Sequence, residues 1–309
     1  MRRRRVHRWW LGGLVFAGLL HAAWSASHSQ TRPASPAPAE PEAAAGAAEI
    51  SPWKPVFIGV EMCRGSTTRP RPVQMRALRV DLKEPTIDLL VTPSNGRAPK
   101  EVNARTTAEF LAEFKCQAAI NGSFFAPLAT RPADPQDVSG LSISRGDVYS
   151  PPNRFDALLF SKDRRAWIDP APVDPAGAYN ALAGDTALLI DGQYSVKPTD
   201  TRPIVVVHHP RSAAGISRDG RYLILMTIDG RQPGYSEGAS KAEAAEWLKR
   251  LGAWDAINLD GGGSSTLVLE GPDGKPLVLN QPCGPPPGTL RRVANHLGVF
   301  ARKLPEEAR

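Results

Sequence analysis

Only two stretches of this 309-residue chain carry both the start signal and the apolar stripe of a helix. In the first, Thr106 with Glu109 has capping-box spacing, and Phe110, Leu111 and Phe114 make one apolar face. In the second, Ser240 with Glu243 repeats the box. Ala244, Trp247, Leu248 and Leu251 then form the inward stripe, and Gly252 ends it. Two helices cannot cover both faces of a large parallel sheet, so strands must supply the body. Thirty prolines and 27 glycines punctuate it with turns. Strands are expected at Val56–Val60, Val73–Leu82, Thr86–Val91, Ala118–Ile120, Leu141–Ser144, Ala157–Phe160, Ala166–Ile168 and Thr186–Ile190. The last of these ends in Asp191-Gly192, a hairpin signal. Ile204–Val207 and Tyr222–Ile228 read as strands buried on both faces. Ala256–Leu259, Thr266–Leu269 and Val293–Phe300 complete the set. Without steady βαβ alternation the expected class is α+β: one β-rich domain with a mixed twisted sheet and few helices.

The N-terminus reads as a targeting segment. Four arginines precede an apolar stretch from Trp9 to Trp24, and Ser25-Ala26-Ser27 follows as a small-residue exit. This predicts a signal peptide or signal anchor over residues 1–27 and an exported protein, periplasmic or extracellular. If uncleaved, the segment is its one tie to a membrane, with the arginines on the cytoplasmic side. Residues 28–52, rich in Ala and Pro, read as a linker, and 53–309 as the folded domain.

The net charge of +7 is partly terminal. The first fifty residues hold six basic and three acidic groups, so the body keeps 32 against 28. With no basic helix and no aromatic–basic interleaving, a nucleic-acid partner is not expected. Cys63, Cys116 and Cys283 lack zinc-site spacing; one pair can form a disulfide, or all three can be inert thiols.

Asp260-Gly261-Gly262-Gly263-Ser264-Ser265 is the strongest chemical signal. Consecutive glycines open positive φ and clear side chains from the approach path. Backbone amides can then converge on an anion, joined by the Ser264 and Ser265 hydroxyls, beside the Asp260 carboxylate. It is neither a Rossmann nor a P-loop signature, because a strand rather than a helix follows and no lysine is present. A glycine-rich structural hairpin explains the run alone equally well. Arg211, in Pro210–Gly215 between two expected strands, and Arg231, in Asp229-Gly230-Arg231, can offer forked contacts to phosphate. Asn121 and Asn295 have the donor and acceptor pattern for sugar hydroxyls. His208, His209 and His296 are ambiguous between acid–base and structural roles.

Together these segments resemble the phosphodiester glycosidase family. The matching pieces are Asn121–Phe125, Gly184–Gly192, Pro210–Gly215, Asp229–Arg231 with Ser236 and Gly238, Asn258–Thr266 and Arg292–Gly298. They span roughly Trp53 to Arg302. One departure is Gln281–Gly288, where Cys283 and a proline run replace a short turn. The resemblance implies hydrolysis of the bond between an anomeric carbon and phosphate in an envelope or extracellular glycan. Asp260 or Asp229 would then be nucleophile or base, Gly261–Gly263, Ser264, Ser265, Arg211 and Arg231 would hold phosphate, and Asn121 and Asn295 would hold sugar. No cofactor is required by that reading. A divalent cation, Ca²⁺ or Mg²⁺, enters only if Asp229 and Asp260 are ligands in a metal-assisted phosphodiesterase. A non-catalytic polysaccharide-binding protein is the remaining alternative.

Overall fold

A computed structural model describes residues 48–196 and 199–305. The expected signal segment and most of the linker lie outside the described residues. Within the described part of the linker, Glu49–Ile50 already pairs with Ser66 and Gly65.

The body is two sheet layers clamped between two helices. The larger sheet has nine strands. Its path runs through Val60–Thr67, Val73–Asp81, Tyr222–Ile228, Arg211–Ser217, Ala253–Asn258 and Thr186–Ile190. A five-stranded sheet runs Pro276–Val278, Leu267–Glu270, Ala118–Asn121, His296–Phe300, Asp88–Val91. A second five-stranded sheet centres on Asn180–Ala183, and a three-stranded one on Pro135–Val138.

Alternation explains the layering. In Tyr222–Ile228, Leu223 and Leu225 join a core with Ile120, Leu267 and Leu297 of the five-stranded sheet. Ile224, Met226 and Ile228 point the other way, toward Trp247 and Leu248 of the helix Lys241–Arg250. The strand is thus buried on both faces, as its apolar run predicts. On the far side, Phe110 and Leu111 of the helix Thr107–Phe114 pack on Ala119 and Val268. Both predicted capping boxes form: Thr106 and Ser240 each accept an N3 amide while Glu109 and Glu243 reach back. Asp191 and Gly192, at φ 51° and 71°, make the predicted hairpin turn.

Three expectations need correction. The sheet is not mixed: every strand pair among the described residues is antiparallel, including pairs of distant segments such as Val73–Asp81 with Tyr222–Ile228. Ile204–Val207 is not a strand. Pro203–Val206 forms one helical turn, because a proline at the first helical position is pre-set for it. The run Val56–Val60 is broken at Gly59, φ 74°, into the ends of two paired strands, Lys54–Phe57 and Val60–Thr67. The strand Arg211–Ser217, which carries Arg211 itself, has no apolar run to announce it. Its Ser, Ala and Gly residues suit a crowded interior instead: a Cβ on Gly215 would lie 2.7 Å from that of Ala253.

All three cysteines are free; burial pushes the Cys63 and Cys116 thiols up to about 12, so neither is a nucleophile near neutral pH. Among the described residues no helix is long and apolar enough to cross a membrane.

Candidate active site

The strand Ala253–Asn258 carries the chain to Leu259 and Asp260 at the end of the large sheet. There the backbone is held from both layers. The Leu259 amide donates to the Ser212 carbonyl (2.9 Å) and the Asp260 amide to the Gly122 carbonyl (3.0 Å). The Gly262 amide donates to the Pro210 carbonyl (2.9 Å). The chain then turns through a short 3₁₀ segment, Gly262–Ser264.

Gly262 sits at φ 63°, a conformation that disfavours a side chain. At Gly263 the constraint is a neighbour: a Cβ there would lie 2.5 Å from Nη2 of Arg291. The Arg231 guanidinium likewise lies against Gly262, 3.2 Å from where its Cβ would be. The bend is therefore a bare platform on which two guanidinium groups rest.

Above it is a cleft of about 470 Å³. Arg211, Arg231, Arg291 and Lys241 line it against two carboxylates, Asp185 and Asp260. Lys241 is paired with Asp185 at 2.6 Å. The three arginines make no ion pair within 4 Å among the described residues. Arg211 is 6% exposed and spends its guanidinium on the Ala239 and Val207 carbonyls, at 2.9 and 2.8 Å. Burial pulls its pKa below the ordinary arginine value, an effect Asp185 offsets in part. Arg231 holds φ 59°, uncommon for a non-glycine residue. Its Nη2 is 3.2 Å from Nδ1 of His209, so Nδ1 is the acceptor and the imidazole proton sits on Nε2. Burial, then Arg231 and Arg211, push the His209 pKa down and keep the ring neutral.

Asp260 lines this cationic cleft. Burial raises its carboxyl from 3.8 to about 6; the Ser264 hydroxyl, Arg291 and the Gly261 amide oppose that rise. The group therefore changes charge near neutral pH, as a working acid or base must.

The structure gathers part of the expected site and reassigns the rest. Asp260, Gly261, Gly262, Gly263, Arg211 and Arg231 line the cleft. Ser264 and Ser265 lie beneath the bend at 1% exposure, and their amides close the 3₁₀ turn. The Gly262 amide is also spent, so the bend is not a cradle of converging amides. Asn121 is buried too. Its Nδ2 donates to the Asp260 carbonyl (2.6 Å), and its Oδ1 accepts from Ser212 Oγ (2.7 Å) and the Thr266 amide (3.1 Å). It rivets the two sheets under the site and has no face for a sugar. Asn295, 0% exposed, does the same for Ser123 and Ser142.

Asp229 is likewise a structural knot. At 1% exposure it takes Asn280 Nδ2 (2.9 Å), the Gln281 amide (3.0 Å) and the Tyr235 hydroxyl (3.0 Å). Asn280 in turn donates to the Ser265 carbonyl (3.0 Å). Burial raises the Asp229 pKa despite these donors. One carboxylate thus ties together the loop bearing Arg231, the glycine bend and the Gln281–Gly288 loop that leads to Arg291. The unusual proline run in that last loop does not remove it from the site; it delivers an arginine there. His296 is a core residue, stacked on Phe110 with ring centroids 4.7 Å apart and pushed down to about 3 by burial.

A phosphodiester glycosidase family model matches residues 114–300, which include this cleft-forming bend and both loops. The chain belongs to the phosphodiester glycosidase family. Phosphodiester glycosidase relatives include the mouse N-acetylglucosamine-1-phosphodiester alpha-N-acetylglucosaminidase, 45% identical over 67 residues. That stretch is 22% of this chain and 12% of the mouse protein. The prophage-derived protein YomE of Bacillus subtilis is 35% identical over 95 residues, 31% of this chain and 14% of that protein. Among solved structures, the auto-inhibited catalytic domain of the zebrafish N-acetylglucosamine-1-phosphodiester alpha-N-acetylglucosaminidase superposes with a TM-score of 0.60. It is 23% identical, and the match covers 82% of this chain and 88% of that domain. A hypothetical protein from Synechocystis gives 0.59 at 17% identity, covering 79% of this chain and 62% of its own. At those identities the two structures speak for a shared fold.

Four charged or polar lining residues escape a reading of the sequence: Asp185, Lys241, Asn258 and Arg291. Asp185 and Asn258 lie in segments shared with the family. Lys241 carried its own signal, a cation in a helix's first turn, where the macrodipole disfavours it. Arg291 had none.

Proposed function

We propose that the protein hydrolyses a sugar-1-phosphodiester, cutting between the anomeric carbon and phosphate. The observation that carries this reading is a single cleft whose lining joins Asp260, poised near pH 6 with Arg291 beside it, to three guanidinium groups that have no carboxylate partner within 4 Å among the described residues. Phosphate would seat over the glycine platform between Arg231 and Arg291. Asp260 would act at the anomeric carbon, as nucleophile or as base for water. The departing phosphomonoester is a stabilised anion, so the site needs charge stabilisation more than a proton donor. Preorganised donors of this kind supply roughly 3–4 kcal/mol each. The reaction needs no metal in this scheme, and Asp229, outside the cleft lining, would not be a ligand.

The basic-then-apolar N-terminus supports export, with the substrate an envelope or extracellular glycan. Cell fractionation checks that part.

The decisive experiment is product analysis on a panel of sugar-1-phosphodiesters in heavy-oxygen water. The label should enter the released sugar. Label in phosphate, with activity lost to a chelator, would select metal-assisted P–O cleavage. Glycan binding without turnover would select a binding protein.

A further inference from the structure

Lys241 is placed where neither helix electrostatics nor packing favours it. It opens the helix Lys241–Arg250, directly after the capping Ser240. A cation there faces the positive end of the macrodipole. Its side chain is nevertheless 3% exposed, and that of its partner Asp185 13%. Apolar residues of similar size commonly match or exceed the stability of such a buried pair, so stability alone does not account for it.

Both residues line the cleft, next to Asn258. Asn258 Nδ2 donates to Asp185 Oδ1 and to the Leu259 carbonyl, each at 2.9 Å, which fixes the amide's orientation. Asn258 is 1% exposed, yet its Oδ1 has no donor among the described residues. Lys241 Nζ donates to Asp185 Oδ2 (2.6 Å) and Thr186 Oγ1 (3.4 Å), leaving one of its three protons unassigned. This wall therefore offers carboxylate lone pairs, a spare ammonium proton and an orphaned carbonyl. A phosphate, which has acceptors alone, finds little to match there and is repelled by Asp185. Hydroxyl groups, each both donor and acceptor, match it.

We propose that Asp185, Lys241 and Asn258 form the subsite that binds the hydroxyl groups of the glycosyl unit and so decides which sugar is accepted. The proposal rests on the reading of the cleft as a glycosyl-phosphate site, and it replaces Asn121 and Asn295 in that role.

The test titrates the full-length protein with N-acetylglucosamine, glucose, mannose and galactose, and separately with inorganic phosphate, followed by NMR. Asp185→Asn should weaken the preferred monosaccharide by roughly tenfold or more while phosphate binds as well as before or better. With cleavable substrates, the wild type should reject one deoxy analogue by roughly 100-fold or more, and the variant should lose that discrimination. Because Asp185→Asn leaves a buried ammonium unpaired, the double variant Asp185→Leu, Lys241→Met serves as control. It should fold and show the same selective loss of sugar. Unchanged sugar affinity in both variants, equal loss of sugar and phosphate, or a wild type that binds none of the four sugars and discriminates no analogue would overturn the proposal. Sugar binding that depends on Asp185, in a protein that cleaves nothing, would leave the subsite standing and remove the hydrolase reading.

Discussion

Replacing Asp260 by asparagine should make the protein more stable above pH 6 and inactive at the same time. Burial raises the folded-state pKa of this carboxyl from 3.8 to about 6. Between those values the folded state binds the proton more tightly than the unfolded state does. Stability therefore falls as pH rises from about 4 to about 6 and stays lower above that. A rise of about two pKa units corresponds to up to about 3 kcal/mol, since each unit is worth about 1.4 kcal/mol. Asparagine keeps the shape and carries no charge, so the loss disappears. For a domain of this size, 3 kcal/mol is roughly 6–12 °C in Tm. Calorimetry at pH 4 and pH 7.5 should show near-equal Tm values for the two proteins at the lower pH and a higher Tm for the variant at the upper. Release of free sugar should cease at both. A variant that is less stable at pH 7.5, or shifted equally at the two pH values, would show that the carboxyl is not held against desolvation, and the poised base would go with it.

With Asp260 acting in its ionised form, kcat/KM should climb about tenfold per unit below pH 6 and flatten above; a profile falling through pH 6 would make Asp260 an acid instead. Asp229→Asn puts a donor where three donors converge, so it should cost about 1–3 kcal/mol in urea unfolding and lower activity by loosening Arg231 and Arg291, although Asp229 is not part of the cleft lining. Gly263→Ala drives a methyl into the flexible Arg291 guanidinium; inhibition by inorganic phosphate should weaken while Tm changes little.

What was legible in the sequence was local or compositional. Thr106 and Ser240 announce their helices because a capping box is complete within four residues. Asp260 to Gly263 stand out because an acid followed by a glycine triplet is a local pattern, although a structural hairpin explains the run alone equally well. Orientation was not legible. Asp229, Asn121 and Asn295 are polar residues at strand ends or next to one, and such a residue looks the same whether it faces a cleft or ties two sheets together. That choice is made by segments far away, as when Asn121 meets Asp260 across 139 positions. The same distance hid Arg291 and the Lys241–Asp185 pair. Ile204–Val207 failed for a different reason, since one proline outweighed four β-formers.

The last described strand, His296–Phe300, is not at an edge. It lies between Ala118–Asn121 and Asp88–Val91, pairing with both. A polypeptide lengthening from its amino end therefore has a gap in the middle of that five-stranded sheet until this segment arrives, long after both of its neighbours. Arg291 and Asn295 come with it. The strand that closes that gap follows directly on Arg291 of the cleft lining, so a chain made only up to that point has neither a finished sheet nor a complete cleft wall, and any delay leaves two strand edges bare to other molecules.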